Sequence, residues 1–283
     1  MRKQLLGSVF FALLVLAGCK QPQTLGGIPR SKVYTTVISL SPSTSEMVGL
    51  AGSVKLAGRT KADNYPDTIP DAPIVADLKP DYEKITAIHP DLILYDRDLY
   101  SEADVLKMKQ THADVKAIGS DTVAGYIKEF YQLGNWIAGE TNINEYIIKV
   151  QKQVAAAQGE KTPKPVKAVM IIPDSSGHHM ISGVRSFQAD IMKIIGATPV
   201  GPDSNKFEML NPEFLVAQNP DVVLIAGKAK DFLADPRFAN IEAVKSKHVL
   251  EFEPDQALRR GAQVDQFIYT VHKHLMLSLE GKL

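Results

Sequence analysis

The sequence predicts an α/β protein with two lobes, each a mainly parallel sheet covered by helices, joined by a long inter-lobe helix. Two observations predict this class. Short β-branched or apolar runs alternate with helical stretches on both sides of the middle of the chain, which is typical of parallel βα units. One stretch also occurs twice, once in each half, and an internal repeat indicates a repeated structural unit.

The repeat spans residues 78–94 in its first copy and 210–224 in its second. In each copy a glutamate, Glu83 or Glu213, stands seven residues before a Pro-Asp pair. An apolar run follows each pair, and its length and β-branched content predict a buried strand. Each copy is therefore expected to place a helix before a strand of its lobe.

Each copy also carries the signals of a short helix. Asp81 and Asn211 are good N-cap residues, and Pro212 suits the first helical position. Glu83 and Glu213 then fall at the second helical position, where the helix dipole favours an ionised carboxylate. We expect one outward-facing glutamate on each lobe, with the alternative that both glutamates only cap their helices.

Residues 1–19 have the pattern of a signal peptide, with a basic start and an apolar run over 5–16. This run is too short for a comfortable transmembrane helix. The tetrapeptide Leu16-Ala17-Gly18-Cys19 resembles a bacterial lipobox, in which the cysteine is acylated and becomes the mature N-terminus. We expect lipidation at Cys19 and a tether over 20–32. Because Cys19 is the only cysteine, no intramolecular disulfide can form.

The N-terminal lobe is expected to cover residues 33–120, opening with a β-branched strand over 33–40. Ser43 and Glu46 have the spacing of a capping box, and Gly52 suits the end of that helix. The other expected elements are a strand over 55–58, a polar loop over 59–71, a helix over 102–110 and a strand over 115–118.

Between the lobes, residues 121–160 predict a stiff helical strut, because apolar residues recur at helical spacing on either side of Gly139. The proline-containing stretch 161–165 marks a boundary. The apolar positions are Tyr126, Phe130, Leu133 and Ile137, then Ile143, Ile147, Val150 and Val154.

The C-terminal lobe is expected to cover residues 166–283 and to repeat the alternation. Its expected elements besides the second repeat copy are strands over 168–172, 180–182 and 248–252, a loop over 173–179, and helices over 186–195, 241–244 and 265–279.

The composition excludes some functions. The formal net charge is +0 and no basic run stands out, so nucleic acid is not an expected partner. The chain lacks a GxGxxG, a P-loop and a CxxC, and no nucleophile and base stand in a recognisable spacing. We expect a monomer that catalyses nothing and uses no cofactor.

A set of motifs in a fixed order resembles a known family. They are Ile38-Ser-Leu-Ser-Pro-Ser-Thr-Ser-Glu46, Gly58-Arg-Thr, Tyr65-Pro66, the two repeat copies, Ser182-Gly183 and Ser186-Phe187. Together with the lipobox they resemble ABC-transporter substrate-binding lipoproteins of the group that captures iron-siderophores, haem and cobalamin. The resemblance implies two lobes joined by one long helix, a metal chelate in the cleft, and an ABC permease with its ATPase as partner. The alternatives to this transport function are a two-lobed enzyme such as a chelatase, and a ligand-sensing lipoprotein.

The resemblance also gives the repeated glutamates a role. In cobalamin-binding relatives the residues that match Glu83 and Glu213 pair with arginines on the membrane permease. Carboxylates at helix N-termini suit this role, because charge-assisted pairs orient the partner and raise the encounter rate.

By the same resemblance Tyr65, Arg97, Phe207, His178 and His179 are expected to point at the cleft between the lobes. Aromatic faces there would stack on a flat macrocycle. No metal ligand is predicted directly, although Tyr65 or His178 would be the candidate if the ligand were haem. Tyrosine beside a proline is also common in ordinary turns, and exposed histidines are commonly just solvated.

The ligand is ranked as cobalamin or another corrinoid first, haem second and a ferric siderophore third. Arg185 and Arg259 are candidates for anionic groups of a siderophore or haem, together with Arg59, Arg97 and Arg260. One departure weighs against cobalamin: Asp77 and Asp96 stand where cobalamin binders carry tryptophans. Tyr95, Tyr100 and Phe207 are the aromatic residues that would compensate.

Overall fold

The computed structural model describes residues 32–67, 69, 72–160, 162 and 164–282. Residues 33–283 form one compact unit. Cys19, the predicted signal peptide and all but the last residue of the predicted tether lie outside the described residues. Within the described part of the chain, no helix is both long enough and apolar enough to cross a bilayer.

The first sheet lies within the predicted N-terminal lobe and is parallel throughout its described strands, in the order β3-β2-β1-β4-β5. Its strands are β1 Val37–Ser39, β2 Leu56–Thr60, β3 Ile74–Ala76, β4 Leu92–Asp96 and β5 Asp114–Ile118. Its helices are α1 Pro42–Ala51, α2 Tyr82–Ile88 and α3 Glu102–Lys109.

The second sheet lies within the predicted C-terminal lobe, with β8 pairing β6 beside the order β11-β10-β6-β7-β9. It is parallel except that β7 runs antiparallel to β6 and β9. The strands are β6 Val166–Ile172, β7 Met180–Ser182, β8 Ala197–Pro199, β9 Phe207–Met209, β10 Val222–Ala226 and β11 Val249–Phe252. The helices are α6 Phe187–Ile194, α7 Pro212–Gln218, α8 Lys230–Ala234, α9 Glu242–Lys245, α10 Pro254–Leu258 and α11 Val264–Leu279, with a 3-10 turn at Pro236–Phe238. The predicted fold class is confirmed.

The segment between the sheets consists of two helices, α4 Val123–Ile137 and α5 Glu140–Gly159. Ala138 ends α4 in the left-handed conformation, with φ of 54°, and Gly139 precedes α5. The longer helix, α5, packs against α1 of the first lobe and against α6 and α11 of the second. It therefore braces both lobes.

The two repeat copies fold alike. In α2 the N-cap Asp81 accepts a hydrogen bond from the Lys84 amide, and in α7 Asn211 accepts one from the Phe214 amide, both at 3.1 Å. Both helices end at a residue in the left-handed conformation, His89 or Asn219, before the repeated proline. The predicted N-caps are confirmed, and both glutamates occupy the second helical position.

The predicted capping box of Ser43 and Glu46 is wrong. Helix α1 begins two residues earlier, because Ser41 caps the Thr44 amide at 3.2 Å and Pro42 takes the first helical position. Glu46 consequently falls inside the helix, where its side chain is fully buried. Gly52 ends α1 with φ of 65°, as predicted.

One hydrophobic core extends through both lobes. Along β4, Leu92 and Leu94 face one hydrophobic cluster, and Ile93 faces a second cluster on the other side of the sheet. Met170 and Leu224 of the second sheet belong to the same cluster as Leu92 and Leu94, together with residues of α4 and α5. Because one apolar core runs through both lobes, a large hinge motion would expose it.

Candidate ligand-binding groove

A groove of about 380 Å³ lies between the lobes. The first lobe contributes the residues that follow β1 and β4, which are the carboxyl ends of parallel strands where ligands commonly bind in α/β sheets. The second lobe contributes the start of α6, the segment leading into β9 and the segment that follows α10. The lining residues are Pro42, Ser43, Asp96, Asp98, Leu99, Ile172, Phe187, Gln188, Asn205, Lys206, Phe207, Leu258, Arg259 and Arg260.

Arg260 ties the two lobes together at this groove. Its Nη2 donates to Asp96 Oδ1 at 2.6 Å and to Asp98 Oδ2 at 2.7 Å, and its Nη1 donates to the Gly119 carbonyl at 3.1 Å. Burial acts to lower the pKa of Arg260, but the Asp96 and Asp98 carboxylates outweigh that effect and raise it. The guanidinium therefore stays charged and fully engaged.

Arg259 forms a second bridge between the lobes. Its Nη1 lies 3.0 Å from Glu46 Oε1, and its Nη2 lies 2.8 Å from Asp255 Oδ1. Glu46 Oε2 also accepts a hydrogen bond from the Ala262 amide at 2.9 Å. Burial raises the pKa of Glu46, against the opposing effect of Arg259. A side chain at Gly261 would overlap the Glu46 carboxylate, so glycine permits this close approach.

A second chamber of about 370 Å³ also spans the lobes and contains the predicted ligand residue Tyr65. Arg259 Nη1 donates to Asn64 Oδ1 at 2.6 Å, and Asn64 Nδ2 donates to Asp255 Oδ2 at 2.7 Å. These bonds join the lining of the groove to the lining of the second chamber. The other lining residues of this chamber are Glu253, Pro254, Gln256 and Gln263.

Tyr65 lies in an electronegative environment. Burial raises the pKa of its phenol, and Glu46, Asp265 and Asp67 raise it further. The phenol is therefore protonated in the ligand-free protein and can donate a hydrogen bond.

The predicted ligand residues are distributed unevenly. Phe207 and Arg259 line the groove, and Tyr65 lines the second chamber. Arg97 pairs with Asp121 at 2.5 Å and lines a separate pocket beside Tyr95 and Tyr100. Arg185 is exposed and pairs with Asp203 at 3.2 Å. Arg97 and Arg185 are therefore surface residues outside the groove and the second chamber.

His178 and His179 also lie outside the groove and the second chamber. His178 is exposed and lies 3.0 Å from the Ser176 hydroxyl. His179 is a core residue, which corrects the expectation that it faces the cleft. Its Nδ1 accepts from the Asp174 amide at 3.0 Å, and its ring packs against Phe232 and Phe238, which are stacked on each other. No cluster of three or more metal-ligating side chains occurs among the described residues.

Sequence analysis missed the inter-lobe roles of Glu46 and Asp96. Glu46 had been assigned to a helix cap, and Asp96 had been noted only as a replacement for tryptophan. Their partners, Arg259 and Arg260, lie 213 and 164 residues further along the chain. Adjacent arginines after a helix carry no local signal of such pairing.

The repeated glutamates are exposed and lie at matching places in the two lobes. Helix α2 follows β3, and α7 follows β9, each of which is an edge strand of its described sheet. Strand β3 is parallel to its neighbour β2. Strand β9 is antiparallel to β7, and β7 is antiparallel to β6, so β9 runs in the same direction as β6. Glu83 and Glu213 are thus each at the carboxyl edge of a sheet, the edge that also supplies the groove.

Sequence comparisons identify relatives that match most of the chain. The family model described as periplasmic binding protein matches residues 37–256. The chain is 26% identical over 246 residues to the vitamin B12-binding protein of Salmonella typhimurium, covering 82% of this chain and 84% of that protein. It is 22% identical over 237 residues to the uncharacterized ABC transporter substrate-binding lipoprotein YvrC of Bacillus subtilis, covering 81% and 76%.

Solved structures show the same fold. The vitamin B12-binding protein BtuF of Vibrio cholerae matches with a TM-score of 0.76 at 17% identity, covering 87% of this chain and 98% of that one. The heme-binding protein HutB of Vibrio cholerae matches with a TM-score of 0.72 at 18% identity, covering 85% and 98%. The family match spans both sheets and every described strand, and the chain belongs to the periplasmic binding protein family.

Proposed function

We propose that this protein is the substrate-binding component of an ABC importer, and that it captures a metal chelate between its lobes. The observation that carries the proposal is the groove, whose lining comes from both lobes. Its fold and family support transport over the chelatase alternative. Relatives named for vitamin B12 and heme binding support the ligand class.

The two arginines of the groove favour a corrinoid over an anionic ligand; the third cation of the lining, Lys206, lies 3.8 Å from Asp98 Oδ1 and is more exposed. Arg259 and Arg260 are each bonded to two carboxylates, so propionates or an anionic siderophore would have to compete with Asp96 and Asp255. Gln188, Asn205 and Ser43 offer neutral polar groups in the groove. The amide-fringed edge of a corrinoid matches neutral donors and acceptors better than it matches paired ions. We therefore rank a corrinoid first, haem second and a ferric siderophore third.

The size of the site implies a small opening motion. The volumes of the groove and of the second chamber are both near the lower end of the range of about 300–1,000 Å³ that ligand pockets occupy. A macrocycle with side chains would occupy the groove and the second chamber together. It would displace the hydrogen bonds and ion pair that join Arg259, Asn64 and Asp255 between them. Phe207 would stack from one chamber and Tyr65 from the other. The shared core limits how far the lobes separate.

Delivery would use the repeated glutamates. Glu83 and Glu213 would pair with cations on a permease that works with its ATPase, and acylation of Cys19 would hold the protein in the cell envelope. The matched positions of the two carboxylates support this role. The chain would act as a monomer, since each lobe supplies one docking carboxylate.

A spectroscopic titration tests the proposal. Mature protein is titrated with cyanocobalamin, haemin and a panel of ferric chelates, and we expect saturable binding of cyanocobalamin. Phe207→Ala and Tyr65→Ala should each weaken binding at least about tenfold, or about 1.4 kcal/mol. Tyr269→Ala, an exposed tyrosine of α11 outside both chambers, serves as the control. Saturation by none of these ligands, or equal affinity in all variants, would contradict the proposal.

A further inference from the structure

The side chain of Leu78, five residues before Glu83 in the sequence, is almost fully exposed to solvent. Leu78 is the most exposed large apolar side chain among the described residues, at 96%. It stands in a turn after β3 that is fixed by hydrogen bonds from the Asp77 amide to the Lys79 carbonyl at 3.3 Å and from the Asp81 amide to the Val75 carbonyl at 2.8 Å. The fold thus presents this side chain instead of burying it.

The other lobe also exposes an apolar residue shortly before its glutamate, but at a different position: Leu210, which opens the second repeat copy as Leu78 opens the first, is buried, and the preceding Met209 is exposed. Met209 ends the edge strand β9, is 59% exposed and stands four residues before Glu213, whereas Leu78 stands five residues before Glu83. Val216, three residues after Glu213 on α7, is also exposed and shares its helix face. Each lobe therefore has an exposed apolar side chain four or five residues before the exposed glutamate at the carboxyl edge of its sheet.

We propose that Leu78 and Met209 are apolar anchors for the permease, each entering an apolar recess on that partner while the neighbouring Glu83 or Glu213 pairs with a cation. This inference rests on the proposed function. Interfaces draw most of their affinity from a few buried side chains surrounded by polar contacts. The two anchors provide that burial, and the glutamates set orientation and encounter rate.

The charges around Leu78 favour a protein partner over a lipid surface. An anionic membrane attracts clusters of free lysine and arginine. Beside Leu78, however, Lys61 pairs with Asp77 at 2.9 Å and Lys84 pairs with Asp81 at 3.2 Å. Two of the three lysines near Leu78 are thus paired, and Lys79 is the one without an ion pair among the described residues. A single free lysine is not a basic cluster, and the exposed Glu83 and Glu213 would be repelled by anionic headgroups.

The test measures binding to the permease. Non-acylated mature protein, free and with cyanocobalamin, is applied to the cognate permease–ATPase complex in nanodiscs, and affinity is measured by surface plasmon resonance. Leu78→Ser and Met209→Ser should each weaken this complex about tenfold, or about 1.4 kcal/mol. Leu106→Ser is the matched control, because Leu106 is 62% exposed on α3 in the separate pocket beside Arg97. Ligand affinity should be unchanged in all three variants.

The outcomes separate this inference from the proposed function. If a Glu83→Ala/Glu213→Ala variant loses permease binding while both anchor variants bind as wild type does, the anchor role is overturned and the proposed function stands. If wild-type protein does not bind the permease in either condition, both are overturned. If the protein instead sediments with phosphatidylglycerol vesicles in a manner that Leu78→Ser abolishes, the permease is the wrong partner for this residue.

Discussion

Replacing Arg260 by methionine should destabilise the protein strongly. Arg260 and its partner Asp96 have side chains that are only 11% and 9% exposed, and their closest atoms are 2.6 Å apart. Removing one member of a buried ion pair costs about 3–5 kcal/mol, because the remaining charge is left buried without its partner. The total stability of a typical domain is about 5–15 kcal/mol. Arg260→Met should therefore lower the melting temperature by about 6–20 °C in a chain of this size.

Urea unfolding of ligand-free protein measures this effect. Arg185→Met is the matched control, because Arg185 and its partner Asp203 are both exposed and such surface pairs contribute about 0–1 kcal/mol. Adding Asp96→Asn to Arg260→Met should recover about 1–2 kcal/mol, since it removes the uncompensated charge. A free energy of unfolding for Arg260→Met within 1 kcal/mol of wild type, or no recovery in the double variant, would refute the assignment of this pair as an inter-lobe bond.

The remaining predictions concern transport, ligand entry, pH and anchoring. Alanine at both Glu83 and Glu213 should abolish uptake in a whole-cell assay without changing ligand affinity, and undiminished uptake would exclude the docking role. Asp255→Asn should raise ligand affinity up to about fivefold in titrations, because it weakens the Arg259–Asp255 bridge, which is exposed on the Asp255 side and which the ligand must displace; unchanged or weaker binding would count against that displacement. Burial lowers the pKa of His179 from its usual 6.5, so its contribution to stability is present above pH 6.5 and is lost as the pH falls through the lowered value. His179→Gln should therefore lose less stability than wild type in urea unfolding between pH 7.5 and 5, whereas equal losses would contradict this effect. Cys19→Ser should release the protein from membrane fractions on immunoblots, and continued retention would argue against acylation.

Local chemistry explains which elements could be predicted. The repeat helices follow from side chains that cap their own helix, such as Asp81 and Asn211, and from prolines that stop it. The edge strands β3 and β9 were not predicted; each has three residues, and a segment that short carries little periodicity, although β7 of the same length was predicted. The start of α1 was misplaced because Ser41 and Ser43 are both good caps, and the choice depends on Pro42.

The site was less predictable than the fold. Phe207 and Arg259, which the resemblance suggested as ligand residues, line the groove, and their role in binding stays a prediction. The resemblance gave no sign that Arg259 is already bonded across the lobes. His179 was misplaced because its burial depends on Phe232 and Phe238, which come from a distant part of the chain. Contacts between residues far apart in sequence determine which charged groups are free, and one sequence does not reveal them.

Hydrogen–deuterium exchange with and without cyanocobalamin tests the central claim that the ligand is held between the lobes. The account predicts that binding protects the segment after β4, around Asp98, in the first lobe, and also the segments around Phe207 and Arg259 in the second. Saturable binding with protection confined to one lobe, or located away from both chambers, would contradict it.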